Sequence, residues 1–359
     1  MTGPRLAVLG VGLIGGSIGL AARERLGAEV SGYDPAPGTV EAALERGALD
    51  RGCTSPAEAL EDAEVAFVAA PVGALPAAVA GALAAAGPDC VVSDVGSAKR
   101  AVVSAVSDPR FVGGHPLAGA ETAGVAHARG DLFAGATWYL TPTETTQGTL
   151  YERLHRAIAA FGARPAALDA DTHDAVMASV SHLPHVLANV LVAQAAGVLS
   201  AEGERLPATG PSFRDATRVA GANTAMWRDI YLANADALVA ALDDTVARLR
   251  GVRELLAGGD SRAIAGWNDA ARDDRRRLLE ADLAGAEVHE LRVAVPNRPG
   301  VIAELALALG RAGVNIADMA LYPTPDRSSG TVALWVAGGE AAGEAEALVR
   351  GLGHEVARA

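Results

Sequence analysis

Leu6-Ala7-Val8-Leu9-Gly10-Val11-Gly12-Leu13-Ile14-Gly15 is the stretch on which the fold turns. An apolar run reads as a buried strand, and glycines then follow at Gly-x-Gly-x-x-Gly spacing where strand gives way to helix. Gly10 makes the tight turn, Gly12 lets a pyrophosphate approach the backbone, and Gly15 allows close helix–strand packing. The N–H groups at the helix start, at Leu13 and Ile14, face the phosphates. About twenty residues further on, Asp34 ends the next strand in Gly32-Tyr33-Asp34. A carboxylate there accepts ribose hydroxyls and repels a 2′-phosphate, so strand, turn, helix and acid together predict an NAD site. Without the acid, the glycines could serve a turn of purely structural use.

From this start the pattern continues as alternating strands and helices. Strands are expected at Leu6–Gly10, Glu29–Tyr33, Val65–Ala69, Val91–Asp94, Phe111–Gly113 and Thr137–Leu140. Helices fall between them, which predicts a Rossmann-type α/β domain with a parallel, doubly wound sheet over residues 1–168. Ala70 and Pro71, just past the third of these strands, join the expected cofactor contacts. Residues 169–286 read as long helices, an all-α domain that also pairs subunits into a homodimer. Residues 287–359 read βαββαβ, a small α+β domain.

The chain has 359 residues and a formal charge of −13. An acidic chain without a basic stripe is a poor partner for nucleic acid. Cys53 and Cys90 share no metal-ligand spacing, so no metal is expected and a reducing cytoplasm is the simplest home. Charges are expected to interrupt every long helix, leaving no span for a membrane.

Four groups of residues carry chemistry. His115 lies in Gly113-Gly114-His115-Pro116-Leu117-Ala118-Gly119, directly after a strand. An imidazole there can take a hydroxyl proton as hydride leaves the same carbon; elsewhere such a residue would be a structural turn histidine. Ser97, in Asp94-Val95-Gly96-Ser97-Ala98-Lys99, either contacts substrate and nicotinamide or caps the following helix. Asp174, Ser181 and His185 are spaced seven and four apart, one face of a regular helix that Pro184 would kink. His182 points elsewhere on that reading, as a structural residue. Arg214 and Arg218 each offer a fork for a substrate carboxylate, and Trp227 walls the same cleft.

The stretches GVGLIGGS, DVGSAK, GGHPLAGAE, HDAVMASVSHLPH, SFRDATR and MWRDIY together resemble the prephenate/arogenate dehydrogenase family of tyrosine biosynthesis. VPNRPGVIAELALALGRAGVNI resembles an ACT regulatory domain. The resemblance implies His115 as catalytic base, with Ser97 on the same substrate hydroxyl. It implies Arg218 on a substrate carboxylate, Ser181 and His185 lining the cleft, and Glu121 in its gating network. Ala120 stands where some members carry a hydroxyl residue. The activity implied is NAD-dependent oxidative decarboxylation of prephenate to 4-hydroxyphenylpyruvate; the alternative is arogenate oxidation giving tyrosine directly. A non-catalytic NAD- and amino-acid-sensing protein would use the same modules. In the ACT-like part, Asn297, Pro299, Gly300, Asn315 and Ile316 would hold an effector, expected to be tyrosine; the alternative is a dimerisation module without a ligand.

Overall fold

The computed structural model describes residues 3–119, 122–200, 209–282, 287–296, 301, 304–305, 308–309, 312, 314, 316–324 and 328–359. Ala120, Glu121, Asn297, Pro299, Gly300 and Asn315 lie outside the described residues. The chain divides into two compact units, the first over Met1–Ala247 and the second over Arg248–Ala359.

The first unit is built on an eight-stranded sheet in which β1 (Arg5–Leu9) and β4 (Val65–Val68) lie side by side. Beyond β1 come β2 (Glu29–Tyr33) and β3 (Arg51–Gly52); beyond β4 come β5 (Val91–Asp94), β6 (Phe111–Pro116), β7 (Thr137–Thr141) and β8 (Arg164–Ala167). β1 and β4 are neighbours although their connections leave in opposite directions. That is the switch point at which such sheets open a ligand crevice. Their side chains, Leu6, Val8, Phe67 and Val68 among them, are fully buried because helices cover both faces.

The sheet departs from the expected one at its far side. β7 runs antiparallel to β6, and β8 then pairs parallel with β7. Arg164–Ala167 was not expected as a strand because it carries Pro165 and no apolar run. It forms here at a sheet edge, where proline is tolerated.

α1 (Leu13–Leu26) follows the glycine turn, and α2 (Thr39–Glu45), α3 (Pro56–Leu60), α4 (Leu75–Ala85), α5 (Arg100–Ala105) and α6 (Gly148–Ala160) alternate with the strands. α7 (Ala170–Met177), a π-helical turn (Ala178–His182) and α8 (Leu183–Ser200) then run end to end. Pro184 has no N–H to give and its ring crowds the carbonyl four residues back; the wider turn just before it accommodates that defect. Contrary to expectation, Ala170–Val198 is long and apolar enough to cross a membrane by length and composition, since no Asp, Glu, Lys or Arg follows Asp174 within it. Buried His182 and His185 and the exposed Val190 and Val198 instead suit a helix with one face in its own fold and one toward a protein partner. α9 (Pro211–Thr217), α10 (Thr224–Ala233) and α11 (Ala235–Gly258) follow, the last two separated by buried Asn234.

The second unit holds α12 (Ser261–Asp282) and a four-stranded antiparallel sheet. Its strand order is β10 (Ile316–Pro323), β11 (Ser329–Ala337), β9 (Val288–Pro296), β12 (Glu355–Arg358). Alternation along β9 and β11 puts Leu291, Val293, Val332 and Leu334 in one core with Leu305, Leu309 and Val349. Arg275 of α12 stacks its guanidinium 4.8 Å above the Trp335 ring.

Candidate active site

The glycine turn has the shape that a dinucleotide needs. Gly10 takes φ +94°, and a Cβ there would sit 2.3 Å from the Ala69 carbonyl oxygen, so only glycine makes this turn. A Cβ on Gly15 would sit 1.9 Å from the Gly10 carbonyl, whereas one on Gly12 would meet nothing within 4 Å. Gly12 thus faces open space on the side where phosphate would approach. Across the turn, the Asp34 carboxylate accepts the Val11 N–H at 2.8 Å and the Ala36 N–H at 2.8 Å.

β6 carries His115 to the carboxyl end of the sheet, half-buried. Its ring Nδ1 lies 2.9 Å from His173 Nε2, and His173 Nδ1 lies 2.8 Å from Asp174 Oδ1. His173 and Asp174 are fully buried on α7. The carboxylate accepts further hydrogen bonds from the Lys99 N–H (2.7 Å) and the Arg100 N–H (3.0 Å). Burial alone would raise the Asp174 pKa, but the hydrogen bonds from His173 and these two N–H groups outweigh it and hold the carboxyl ionised.

An ionised Asp174 dictates the protons along the chain. It accepts only, so His173 carries its proton on Nδ1 and presents a lone pair at Nε2. His115 must then donate from Nδ1, leaving its Nε2 lone pair available as a base. Burial, then the fields of His173, Lys99 and His182, push the His115 pKa well below its ordinary value, so the ring is neutral at pH 7.

The backbone carrying His115 is held from beneath. Asp94 accepts the Gly96 N–H at 2.8 Å and the Gly114 N–H at 3.1 Å, and pairs with the Lys99 ammonium, all three groups buried. Burial lowers the Lys99 pKa, against the pull of Asp94 and Asp174. Ser97 does not cap the next helix as one reading had it: the N-cap of α5 (Arg100–Ala105) is Lys99, with no side-chain cap. The half-buried Ser97 hydroxyl has no hydrogen-bond partner among the described residues.

The π turn corrects the expected helix face. It inserts about one extra residue per turn, so His182, eight residues after Asp174, takes the phase that a regular helix assigns to Ser181. His182 is fully buried and Ser181 half-buried. Burial pushes the His182 pKa down to about 4. His185 stacks flat on Trp227, with ring centroids 3.6 Å apart, and its Nδ1 bonds the Tyr231 hydroxyl. Burial lowers its pKa, and the Val219 backbone beside the ring opposes that shift. Arg218, exposed at the end of α9, therefore lies in the segment next to His185 and Trp227. Arg214 spends one nitrogen on the Thr209 carbonyl at 2.7 Å. A Cβ on Gly73, in the turn after β4, would lie 3.4 Å from Asp229 of α10, so α10 packs at the crevice mouth.

His173, Lys99 and Asn234 are the contributors that the sequence reading missed. The adjacent pair His173-Asp174 was a usable signal, because a helix-face argument keeps one residue of such a pair and discards the other.

Depressed histidines make stability depend on pH. His115 and His182 bind a proton in the unfolded chain below pH 6.5, their ordinary pKa, but not in the fold until much lower, about 4 for His182. The unfolded state binds more protons in that window, so stability falls as pH falls through it. Thermal melts from pH 7 to pH 4.5 are expected to show a steadily falling midpoint; a flat midpoint would contradict the burial of these rings.

Comparison with known proteins agrees with this geometry. Residues 18–166 match the family described as "Prephenate dehydrogenase, nucleotide-binding domain", 169–267 its "dimerization domain", and 289–348 the "ACT domain". The chain is 32% identical over 336 residues to a prephenate dehydrogenase of Bacillus subtilis, covering 90% of each protein. Among solved structures it resembles the prephenate dehydrogenase of A. aeolicus in complex with hydroxyphenyl propionate and NAD+ (TM-score 0.73, 28% identity, 77% of this chain and 99% of that one). It also resembles the arogenate dehydrogenase of Synechocystis (TM-score 0.67, 27% identity, 76% and 99%). With a Rossmann sheet whose first strand ends in a glycine turn, a histidine at the sheet's carboxyl edge and a relative 32% identical over nine-tenths of its length, the chain belongs to the prephenate dehydrogenase family as an NAD-dependent dehydrogenase.

Proposed function

We propose that the chain oxidatively decarboxylates prephenate to 4-hydroxyphenylpyruvate, with His115 Nε2 as the base. The Asp174–His173–His115 chain carries this reading, because it fixes a lone pair on the one ring nitrogen free to meet a ligand. NAD, when bound, supplies the hydride acceptor. Gly10, Gly12, Leu13, Ile14 and Gly15 would cradle its phosphates, Asp34 its ribose, and Ala70, Pro71 and Ser97 the nicotinamide end.

His115 takes the hydroxyl proton as hydride departs from the same carbon. The ring carboxylate then leaves as CO2, and its bonding electrons aromatise the ring. The developing phenolate recovers the proton from His115, so atoms and charge balance without a further reagent. The protein orients the ring and holds one proton. Ser97, with its spare hydroxyl, would share the substrate hydroxyl with His115. Ser181, His185 and Trp227 would wall the ring, and Glu121 would belong to the gate. Formation of NADH in step with CO2 and 4-hydroxyphenylpyruvate tests this reading.

Arg218 would hold a substrate carboxylate. Arg218→Ala is expected to raise KM for substrate while kcat changes little, because the interaction is made equally in ground and transition states. An unchanged KM would transfer the role to Arg214.

We also take the domain limits to be 1–168, 169–286 and 287–359, a division that the family matches over 18–166, 169–267 and 289–348 support. The chain would work as a homodimer: Val190 and Val198 on α8 and Leu232 on α10 expose apolar surface within the region matching a dimerization domain. Free, buried Cys53 and Cys90 suit the cytoplasm. Tyrosine would act as feedback inhibitor through the ACT unit, where Asn297, Pro299, Gly300, Asn315 and Ile316 would hold it. Calorimetric titration with tyrosine is expected to give saturable heat and matching inhibition; neither would remove the regulatory claim.

A further inference from the structure

Asn234 separates α10 from α11 and is fully buried, and each of its side-chain polar atoms is engaged. Its Oδ1 accepts from Arg100 Nη2 at 3.0 Å. Its Nδ2 donates to the Asp174 backbone carbonyl at 2.7 Å and lies 3.2 Å from His182 Nδ1. A guanidinium can only donate and a carbonyl can only accept, so the amide has one orientation. With Nδ2 facing His182, that imidazole must accept at Nδ1 and carry its proton on Nε2. The His182 Nε2 is buried and has no hydrogen-bond partner among the described residues.

Arg100 also grips Asp174. Its Nε lies 3.3 Å from Asp174 Oδ2, and its remaining nitrogens engage Asp236 at the start of α11. One arginine thus sets the carboxylate that orients His115 and the amide that orients His182. The two rings are left in opposite roles: His115 Nε2 accepts, and His182 Nε2–H donates.

We propose that Asn234 is a positioning residue: clamped by Arg100, its amide holds His182 in the Nε2–H form and so gives the site a hydrogen-bond donor beside the base. The ligand it serves is an oxygen acceptor, a carbonyl or carboxylate of substrate or cofactor. That last assignment rests on the proposed dehydrogenase reading; the tautomer does not.

The test is the ring-nitrogen NMR of the full-length, 15N-histidine-labelled protein without ligand, at neutral pH. His182, assigned by loss of its signals in His182→Gln, should show an unprotonated Nδ1 and a protonated Nε2. The reverse pattern would overturn the proposal whatever the enzyme turns over. Asn234→Asp presents an acceptor in place of the donor, and is expected to move the His182 proton to Nδ1. It should also lower kcat on the order of 100-fold, as for removal of one preorganised hydrogen-bond donor, with NAD affinity retained. If that variant folds poorly, Arg100→Gln serves instead, since loss of the clamp frees the amide and both His182 tautomers should appear. A His182 spectrum unchanged in a folded Asn234→Asp or Arg100→Gln variant would likewise overturn it.

Discussion

His115→Asn is expected to lower kcat by about 10³- to 10⁴-fold, the upper range for loss of a general base, while NAD affinity is unchanged. Asparagine is close in size and retains a donor that can reach His173, so the strand and its neighbours should persist. What disappears is the lone pair at the position of Nε2. The glycine turn and Asp34 belong to other strands and do not depend on His115. Steady-state kinetics with a separate measurement of NAD binding distinguishes the two effects. A near-normal kcat would remove His115 as the base, and lost NAD binding with an intact melt would mean that the ring serves the cofactor instead.

Asp174→Asn should be nearly as damaging, through two steps of proton logic. A side-chain N–H facing His173 Nδ1 would force that nitrogen to accept and shift its proton to Nε2. His115 Nδ1 would then accept, and its proton would occupy the Nε2 that should be the base. A triad whose aspartate is replaced in this way loses about 10⁴ in kcat, and a loss of about 10²- to 10⁴-fold is expected here. The fold should suffer as well. Asp174 accepts from the Lys99 and Arg100 N–H groups and from Arg100 Nε, and each buried donor left unpaired costs roughly 1–3 kcal/mol. The catalytic loss should persist well below the lowered melting midpoint. A folded variant with wild-type kcat would disconnect Asp174 from His115.

The nucleotide half of the site was open to sequence reading because its rules are local. Gly10, Gly12, Gly15 and Asp34 obey backbone constraints spread over a short stretch; the glycines follow β1 at its switch point with β4, and Asp34, at the end of β2, accepts the Val11 N–H. His115 was legible as a histidine at the carboxyl end of a strand, but that strand runs on through Pro116 and pairs His115 with Tyr139, so extended backbone holds it rather than the turn expected after Gly113. The helical half resisted because its phase depends on a defect. A regular helix from Asp174 selects Ser181, and only the π turn before Pro184 brings His182 into that position. His173 and Asn234 were hidden differently. One gains its role from a strand at His115 and the other from Arg100, both distant in sequence.

The kcat/KM for NADH formation, measured with prephenate and with arogenate under identical conditions, tests the proposed substrate and chemistry most directly. The prediction is efficient turnover of prephenate, CO2 released in step with NADH, and a lower kcat/KM for arogenate. Preference for arogenate would reassign the substrate while leaving the base in place. Turnover of neither acid by a folded, NAD-binding protein would contradict the account at its centre.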